Sequence, residues 1–250
     1  MNCDLHILNF NEAEILPWAL KHYATFCRRL IVHDLGSTDG SRESAIGLGA
    51  EIVQHDCKGE FDDSLNQRIK NELWKGTDAD WIIQADADEL LYFPSGAQLS
   101  LELYEKQEIQ IVKPYGYEML SDTFPPEGTP QIYDHIKYGG RDDQWYAKPA
   151  LFSPKRVVSI SFSMGAHSVE ATGLKNRPIA NPRTAHYPAC LMLHFHHIGG
   201  LERVARRYDE NLARRSDFNR RHRYGNFEPG IKHATDKKAR AMQSYGRVIA

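Results

Sequence analysis

The stretch Trp81 to Phe93, WIIQADADELLYF, restricts the fold more than any other: an apolar run of strand length stops abruptly on three acids, Asp86, Asp88 and Glu89. Trp81 to Ala85 is short, largely apolar and flanked by polar residues, the pattern of a buried strand in an α/β sheet. The acids then stand at its carboxyl end, where open α/β sheets bind ligands because strand tips and following loops form a crevice. Two Asp one residue apart can turn toward one point, and three negative groups so close repel one another unless a cation holds them. A hard divalent ion such as Mn2+ or Mg2+, also bound to a diphosphate, supplies that charge. The competing reading is that the acids cap the next helix or lie in solvent, since an Asp-x-Asp triplet arises by chance in many chains.

The preceding segments have the alternation of parallel βαβ units. Asp4 to Phe10 reads as a first strand followed by Asn11 and Glu12, after which Ile15, Leu16, Ala19, Leu20 and Tyr23 recur at helical spacing, with Pro17 near the helix start. Leu30 to His33 is a second strand ending in Asp34, the polar turn Leu35 to Ser41 follows, and Glu51 to His55 is a third strand. Ser64 to Trp74 predicts a helix with the capping pair Ser64 and Gln67 and the apolar line Leu65, Ile69 and Leu73. The first 93 residues therefore predict a four-stranded doubly wound half whose tips at Asn11, Asp34 and Asp86 open on one edge.

After Pro94 the pattern changes. Leu101 to Gln107 predicts a helix and Ile109 to Lys113 a strand, while Tyr115 to Asp143, rich in Gly, Pro and aromatics, has no clean period and reads as a long irregular, functional loop. Alternation returns at Ala150 to Phe152 and Val157 to Phe162, followed by Gly165 to Val169, GAHSV. A turn-rich stretch with Pro178, Pro182 and Pro188 leads to a strand at Leu191 to His197, LMLHFHH, and Gly199 and Gly200 break the chain before an arginine-rich helix from about Leu201 to Asn219.

Composition narrows the class. At 250 residues and 41% hydrophobic content the chain can bury one large α/β core. No apolar run nears the roughly 20 residues that span a bilayer, and MNCDLHILNFNE lacks a basic-then-apolar leader, which points to the cytoplasm. Cys3, Cys27, Cys57 and Cys190 lie far apart without a CxxC, against a zinc site or a disulfide framework. Residues 201–250 hold 13 Lys and Arg against six Asp and Glu, a balance of +7, leaving −9 on the first 200. Arg203, Arg206, Arg207, Arg214, Arg215, Arg220, Arg221 and Arg223 read first as a solvated helix face. The second reading is a surface for anionic lipid headgroups, a peripheral contact at the inner face of the cell membrane, or for a phosphorylated substrate. Nucleic acid is disfavoured by the slightly acidic whole and the lack of a binding motif.

Taken together, NFNEAEILPWALKHY, VHDLGSTDGS and DWIIQADADEL resemble the nucleotide-diphospho-sugar glycosyltransferases of the GT-A fold, most closely the large bacterial glycosyltransferase family 2. Members of that family carry Asn-Glu after the first strand, Asp then Gly-Ser-Thr-Asp-Gly after the second, and Asp-x-Asp with a following Glu after the fourth. The likeness covers about the first 95 residues, and LHFHH is similar to the later His-plus-aromatic of related sequences. It implies a Rossmann-like α/β fold with a mixed central sheet and a C-terminal helical segment. Residues 1–95 would form the nucleotide-sugar half, 96–200 the acceptor half, and 201–250 the basic helical end. Asn11 and Glu12 would lie beside the nucleotide, Asp34 would accept from the base, and Ser37, Thr38 and Asp39 would shape the loop at the ribose. Asp86 would contact ribose or metal, and Asp88 would ligate the metal with His194, or alternatively His196, because strand alternation puts both on one face.

The implied reaction is transfer of a sugar, UDP-linked in the first instance, to a glycan, lipid-linked or protein acceptor in bacterial surface glycan synthesis, with inversion at C1. The general base is open among Asp143, Asp142, Glu118, His167 and Glu170. Asn71 and Arg68, on the helix before the acids, read as surface residues or as diphosphate contacts, and Lys148 as a balance for phosphate charge. Two alternatives belong to other classes: a sugar-1-phosphate nucleotidyltransferase, which needs a basic glycine-rich loop that NFNEAE lacks, and a non-catalytic sugar- or partner-binding descendant of the fold. A phosphatase that places a nucleophilic Asp after its first strand is disfavoured by Glu89 and Leu90 following Asp88.

Overall fold

A computed structural model of the chain describes residues 1–173, 190–225 and 228–250, so the segment read as turn-rich around Pro178, Pro182 and Pro188 lies outside the described residues. Strand β1 (Cys3–Asn9) is buried along its whole length, as a central strand covered on both faces must be. Helix α1 (Leu16–Tyr23) carries Pro17 in its first turn, where the missing N–H leaves no bond unmade. Then follow β2 (Arg29–Asp34), α2 (Ser41–Gly47), β3 (Glu51–Gln54), α3 (Asp63–Glu72) and β4 (Trp81–Asp86). The α3 cap is Asp62, whose side chain accepts from the Ser64 and Leu65 amides, while the Gln67 amide reaches the Phe162 carbonyl. This replaces the expected Ser64/Gln67 pair, because Asp62 sits one position before the first helical residue and an ionised cap accepts more strongly.

Strand β5 (Glu89–Tyr92) follows β4 after only two residues. Next come α4 (Ala97–Lys106), β6 (Ile111–Val112), β7 (Tyr115–Met119), α5 (Ile132–His135), β8 (Tyr138–Arg141), α6 (Asp143–Tyr146), β9 (Leu151–Phe152), β10 (Val157–Phe162), a 3-10 turn at Met164–Ala166, β11 (Val169–Gly173) and β12 (Leu191–His194). The chain ends with α7 (Leu201–Ala213), α8 (Asp217–His222), α9 (Gly230–Met242) and β13 (Tyr245–Arg247). Two expectations are corrected. Tyr115 to Asp143 is no irregular loop: it contains β7, β8 and α5, and its period of two was hidden because Gly116, Gly139 and Gly140 fill positions where side chains would reveal a face. The arginine-rich helix is broken, since Ser216 ends the run by capping α8 through the Asn219 amide.

Among the described residues three sheets form. The first has the order β3-β2-β1-β4-β9-β6, its first four strands parallel and its last two pairings antiparallel. The second has the order β13-β8-β7-β12-β5, and β10 and β11 form a separate hairpin. Thus the architecture is mixed α/β with a mixed central sheet. One face of the first sheet buries Leu5, Ile7, Trp81 and Ile83 with Leu16, Leu20 and Tyr23 of α1, and the other buries Leu8 and Leu35 with Ile69 of α3. Parallel register sets Asn9 beside Asp34 and Leu8 beside Asp86, so these tips share one edge. Among the described residues no helix is long and apolar enough to cross a membrane.

A histidine chain runs across the parallel strands. His6 Nδ1 lies 2.9 Å from His33 Nε2, and His33 Nδ1 lies 2.9 Å from His55 Nε2. Each such N–H···N bond needs one unprotonated ring nitrogen as acceptor, and burial pulls His6 down to about 4 and His33 to about 3. A histidine depressed in the fold is protonated first in the unfolded chain. Its contribution to stability is therefore complete above the unfolded value near 6.5 and is lost as pH falls from there toward 4. Replacing His33 with Gln should lower the slope of unfolding free energy against pH, between pH 5 and 6, by about 1.4 kcal/mol per pH unit, the value for one proton; urea titrations at several pH values measure it, and an unchanged slope would refute the assignment.

Candidate metal and donor site

Strand register assembles the site. The crossing from β4 to β5 carries the chain from the first sheet to the second, leaving Asp86 in one, Glu89 in the other and Asp88 in the turn between them. In the second sheet β12 pairs His194 with Glu89 on β5 and with Glu118 on β7, so three ionisable side chains stand in one row on one face. The Phe195 amide donates to the Asp88 carbonyl at 2.7 Å and fixes the turn against the end of β12.

Around that row the charges sort into two groups. Asp86 lies 2.9 Å from Lys70 Nζ of α3 and 3.1 Å from Lys148 Nζ, and Lys148 also contacts Glu89. Burial opposes the Asp86 charge, but the two ammoniums overcome it and hold the carboxyl far below its ordinary range. Lys148 is raised in turn, burial being outweighed by Glu89 and Asp86. In the other group, Asp88 accepts from His196 Nδ1 at 2.9 Å and lies 3.7 Å from His194 Nε2. Glu118, 1% exposed, accepts from His194 Nδ1 at 2.7 Å and from the His197 amide at 3.2 Å. Burial alone would favour neutral forms here, yet His194 and His196 hold Asp88 at about 2, while Glu118 and Asp88 push His194 up to about 9. Glu118 is likewise held well below the ordinary carboxylate range by His194 and His197.

Ligand atoms of Asp88, His194 and His196 lie within 4.8 Å of one another, a spacing that one cation can span. The His196 Nε2 atom is buried and has no hydrogen-bond partner, so it retains a lone pair. Of the ligands expected from the sequence, Asp88 and both histidines are brought together. Asp86 is not among them: Lys70 and Lys148 each bind one of its oxygens, so any contact with ribose or metal would be made alongside these ammoniums. His196 lies beyond the end of β12 and reaches Asp88 from the following turn.

The other expected residues knit the loop beside these tips. Asp34, 1% exposed, accepts from the Asn9 side chain and from the Gly36 and Ser37 amides. The carboxylate is buried beneath the loop and supports it. Ser37 Oγ accepts from the Asn11 amide, Asn11 Oδ1 accepts from the Thr38 amide, and Asp39 caps the Ala13 and Ser41 amides. Asn11, at φ +52, can adopt the left-handed conformation because its side chain bonds locally. Glu12 pairs with Arg207 of α7, whose Nη1 donates to the Asn11 carbonyl at 3.3 Å. Arg203 binds Glu14 and the His196 and Ile198 carbonyls, so part of the arginine run turns inward instead of forming a solvated face.

Among the base candidates, Glu118 is committed to two histidines, and Asp142 caps α6 through the Trp145 amide. Asp143 binds Arg141 and the Gly116 amide, and Glu170 is exposed on β11. His167 Nδ1 donates to the Trp145 carbonyl at 2.9 Å, which leaves Nε2 unprotonated. Asn71 accepts from the Phe162 amide, a structural role. Sequence reasoning missed Lys70, Tyr146 and Tyr208. The Tyr146 ring stacks on His194 at 4.3 Å and Tyr208 lies 4.8 Å from His196. Gly116 permits the first stack, since a Cβ there would collide with the backbone of Tyr146 and Ala147.

No family profile matches the sequence. A TPR repeat-containing protein of Synechococcus elongatus is 31% identical over 99 residues, which is 40% of this chain and 23% of that protein. Among solved structures, glucosyl-3-phosphoglycerate synthase from Mycobacterium tuberculosis, in complex with Mn2+, UDP and glucosyl-3-phosphoglycerate, superposes with a TM-score of 0.34 at 20% identity over 46% of this chain and 44% of its own. Mannosyl-3-phosphoglycerate synthase from Rubrobacter xylanophilus gives 0.36 at 17% identity, over 48% and 41%. The chain thus spans less than half the length of these proteins, and under a quarter of the curated relative.

Removing Lys148 leaves Glu89 buried without its cation. Lys148→Met should destabilise the fold by about 3–5 kcal/mol, and adding Glu89→Gln should recover part of that loss. Urea denaturation of the two variants measures both, and a single variant as stable as the parent would show that the pair does not hold the strand crossing.

Proposed function

We propose that the chain transfers a sugar from a nucleoside-diphosphate sugar, UDP-linked in the first instance, to an acceptor hydroxyl, using a divalent metal held by Asp88, His194 and His196. The observation that carries this reading is the convergence of those three side chains at the carboxyl edge of four parallel strands, where α/β sheets bind nucleotides. Charge supports it. Lys70 and Lys148 pair with Asp86 and Glu89, whereas Asp88 and Glu118 face imidazoles, and a dication taking the place of the His194 proton would answer those two carboxylates. One carboxylate with two imidazoles suits Mn2+ better than Mg2+, which prefers oxygen ligands alone. When bound there, the metal stabilises the charge that develops on the departing diphosphate.

The chain's own residues then have distinct tasks. Glu118 takes the Nδ1 proton of His194 into a hydrogen bond and so presents Nε2, the role of a carboxylate behind a metal-bound imidazole. Asn11, Asp34, Ser37 and Asp39 hold a preformed donor loop, which spares the ordering cost of binding. His167 accepts the acceptor's proton at Nε2, its tautomer fixed by the Trp145 carbonyl. Residues 1–95 serve the donor and 96–200 the acceptor, while the basic segment 201–250 closes over both. The GT-A family assignment, inversion at C1 and a place in bacterial surface glycan synthesis rest on the sequence resemblance and belong to the same proposal.

UDP with Mn2+ should stabilise the protein by about 2.7 kcal/mol at 100-fold excess over Kd, which is roughly 5–10 °C in Tm for a chain of this size. UDP alone should give little, and Asp88→Ala should abolish the shift. Equal stabilisation without metal would defeat the reading, and a hydrolysis screen of sugar nucleotides with Mn2+ would identify the donor. For the base, burial and then Lys148 pull His167 down to about 4, so the ring is unprotonated throughout neutral pH. Turnover should accordingly show no titration near 6.5, and His167→Gln should cut kcat by about 10²–10⁴ while leaving the UDP–Mn2+ shift in place.

A further inference from the structure

We infer that α9 provides an anion subsite for the sugar acceptor: Lys237 and Arg240, laid against the Trp145 ring, receive a phosphate or carboxylate group on the molecule that is glycosylated. The word acceptor rests on the function proposed above, whereas the anion subsite itself stands on its own observations. His233, Lys237 and Arg240 recur at helical spacing and form one stripe along α9. That stripe borders the metal cluster. The His233 ring meets Tyr208 edge-on at 4.4 Å, and Tyr208 in turn lies against His196. One turn further, Lys237 Nζ lies 4.7 Å from the centre of the Trp145 ring, and three residues beyond it the Arg240 guanidinium lies 5.9 Å away.

Two like charges side by side are costly unless something negative joins them. Most cations around this site have carboxylate partners: Lys70, Lys148, Arg203, Arg207 and Lys238 are all paired. Among the described residues the Lys237 and Arg240 side chains have neither an ion pair nor a hydrogen bond: they lie on the face of Trp145, and Glu118 and Asp142 attract Lys237 only from beyond contact distance. A half-buried ammonium beside a guanidinium, with an indole as floor, is a cation pair arranged for an anionic oxygen.

Position separates this subsite from the donor's diphosphate. Lys70 and Lys148 stand on the β4 side of the acids, whereas α9 approaches from the β8 side, lying close because Gly140 has no Cβ to collide with Ala241. His167 joins the two regions: its ring packs edge-on against Trp145 at 5.3 Å and its Nδ1 is held by the carbonyl of the same residue. An acceptor anchored by its anion on Lys237 and Arg240 would thus set a hydroxyl near His167 and the metal cluster.

Trp145 fluorescence reports the subsite directly. Glycerol 2-phosphate and lactate, titrated without nucleotide or metal, should each quench the wild-type protein saturably, and the tighter of the two identifies phosphate or carboxylate as the preferred group. Glycerol should not quench, and Trp145→Phe should remove the signal. The double variant Lys237→Gln/Arg240→Gln should weaken binding by on the order of tenfold or more, since a charge-assisted contact is lost at each position. Lys237→Arg should retain binding, and an unchanged far-ultraviolet circular dichroism spectrum and UDP–Mn2+ shift in the double variant show that fold and donor site are intact. Anion binding without any UDP–Mn2+ shift would leave the subsite standing and remove only the donor reading. No quenching in the wild type, equal affinity in the double variant, equal response to glycerol, or loss of anion binding at saturating UDP–Mn2+ would overturn the proposal, the last because the cations would then serve the donor.

Discussion

Crowding of four carboxylates at the crossing between two sheets is the constraint around which this molecule is arranged. Asp86 and Glu89 are the ends of consecutive strands, and antiparallel and parallel register then add His194 and Glu118 to the same row. Such a row is unstable in a low-dielectric interior unless each charge finds its opposite. Two lysines from distant parts of the chain, Lys70 on α3 and Lys148 after α6, neutralise the Asp86 side. The Asp88 side is left to imidazoles, groups that can take up a proton or donate a lone pair to a metal. The division of labour between the acids thus follows from which of them the ammoniums can reach.

The C-terminal helices are drawn to the same point by the same requirement. Arg203 and Arg207 leave solvent to meet Glu14 and Glu12, and burial lowers Arg207 to about 10. Tyr208, on the same helix, covers His196. A helix rich in arginine is therefore part of the site's wall and links the first strand's tip to the cluster of Asp88, His194 and His196. Where α9 completes that wall, the Lys237 and Arg240 side chains form no ion pair, in contrast to Lys70, Lys148, Arg203, Arg207 and Lys238.

Much of this was legible in the residues. The parallel half could be read because its strands are short apolar runs with turn residues between them, and Asp88, His194 and His196 because acids and histidines rarely end such runs without a chemical reason. The second sheet was obscured by its glycines: Gly116, Gly139 and Gly140 erase the alternation that would mark strands, although each is glycine because a neighbouring backbone lies where its Cβ would be. The lysine partners of Asp86 were hidden for a different reason. The acid's pattern is that of a ligand, and only the folded chain brings Lys70, 16 residues earlier, and Lys148, 62 residues later, onto its oxygens. Asp34 was likewise read as a group that faces a ligand, whereas a carboxylate after a strand is equally suited to gather the amides of the following loop.

The histidines show why position in the sequence says less than the company a side chain keeps. His6, His33 and His194 all lie on strands and are all largely removed from water, which by itself favours the neutral ring. In the first sheet their neighbours are other imidazoles, and both His6 and His33 are lowered. At His194 the neighbours are Glu118 and Asp88, and the same burial is outweighed so that the ring is raised to about 9. Desolvation strengthens the attraction of those carboxylates as much as it penalises an isolated charge, so a buried histidine flanked by acids is the one that seeks a proton or a metal. Two chains of histidine in one protein are thereby separated, by the presence of two carboxylates, into a ladder of lowered rings and a cluster that contains a raised one.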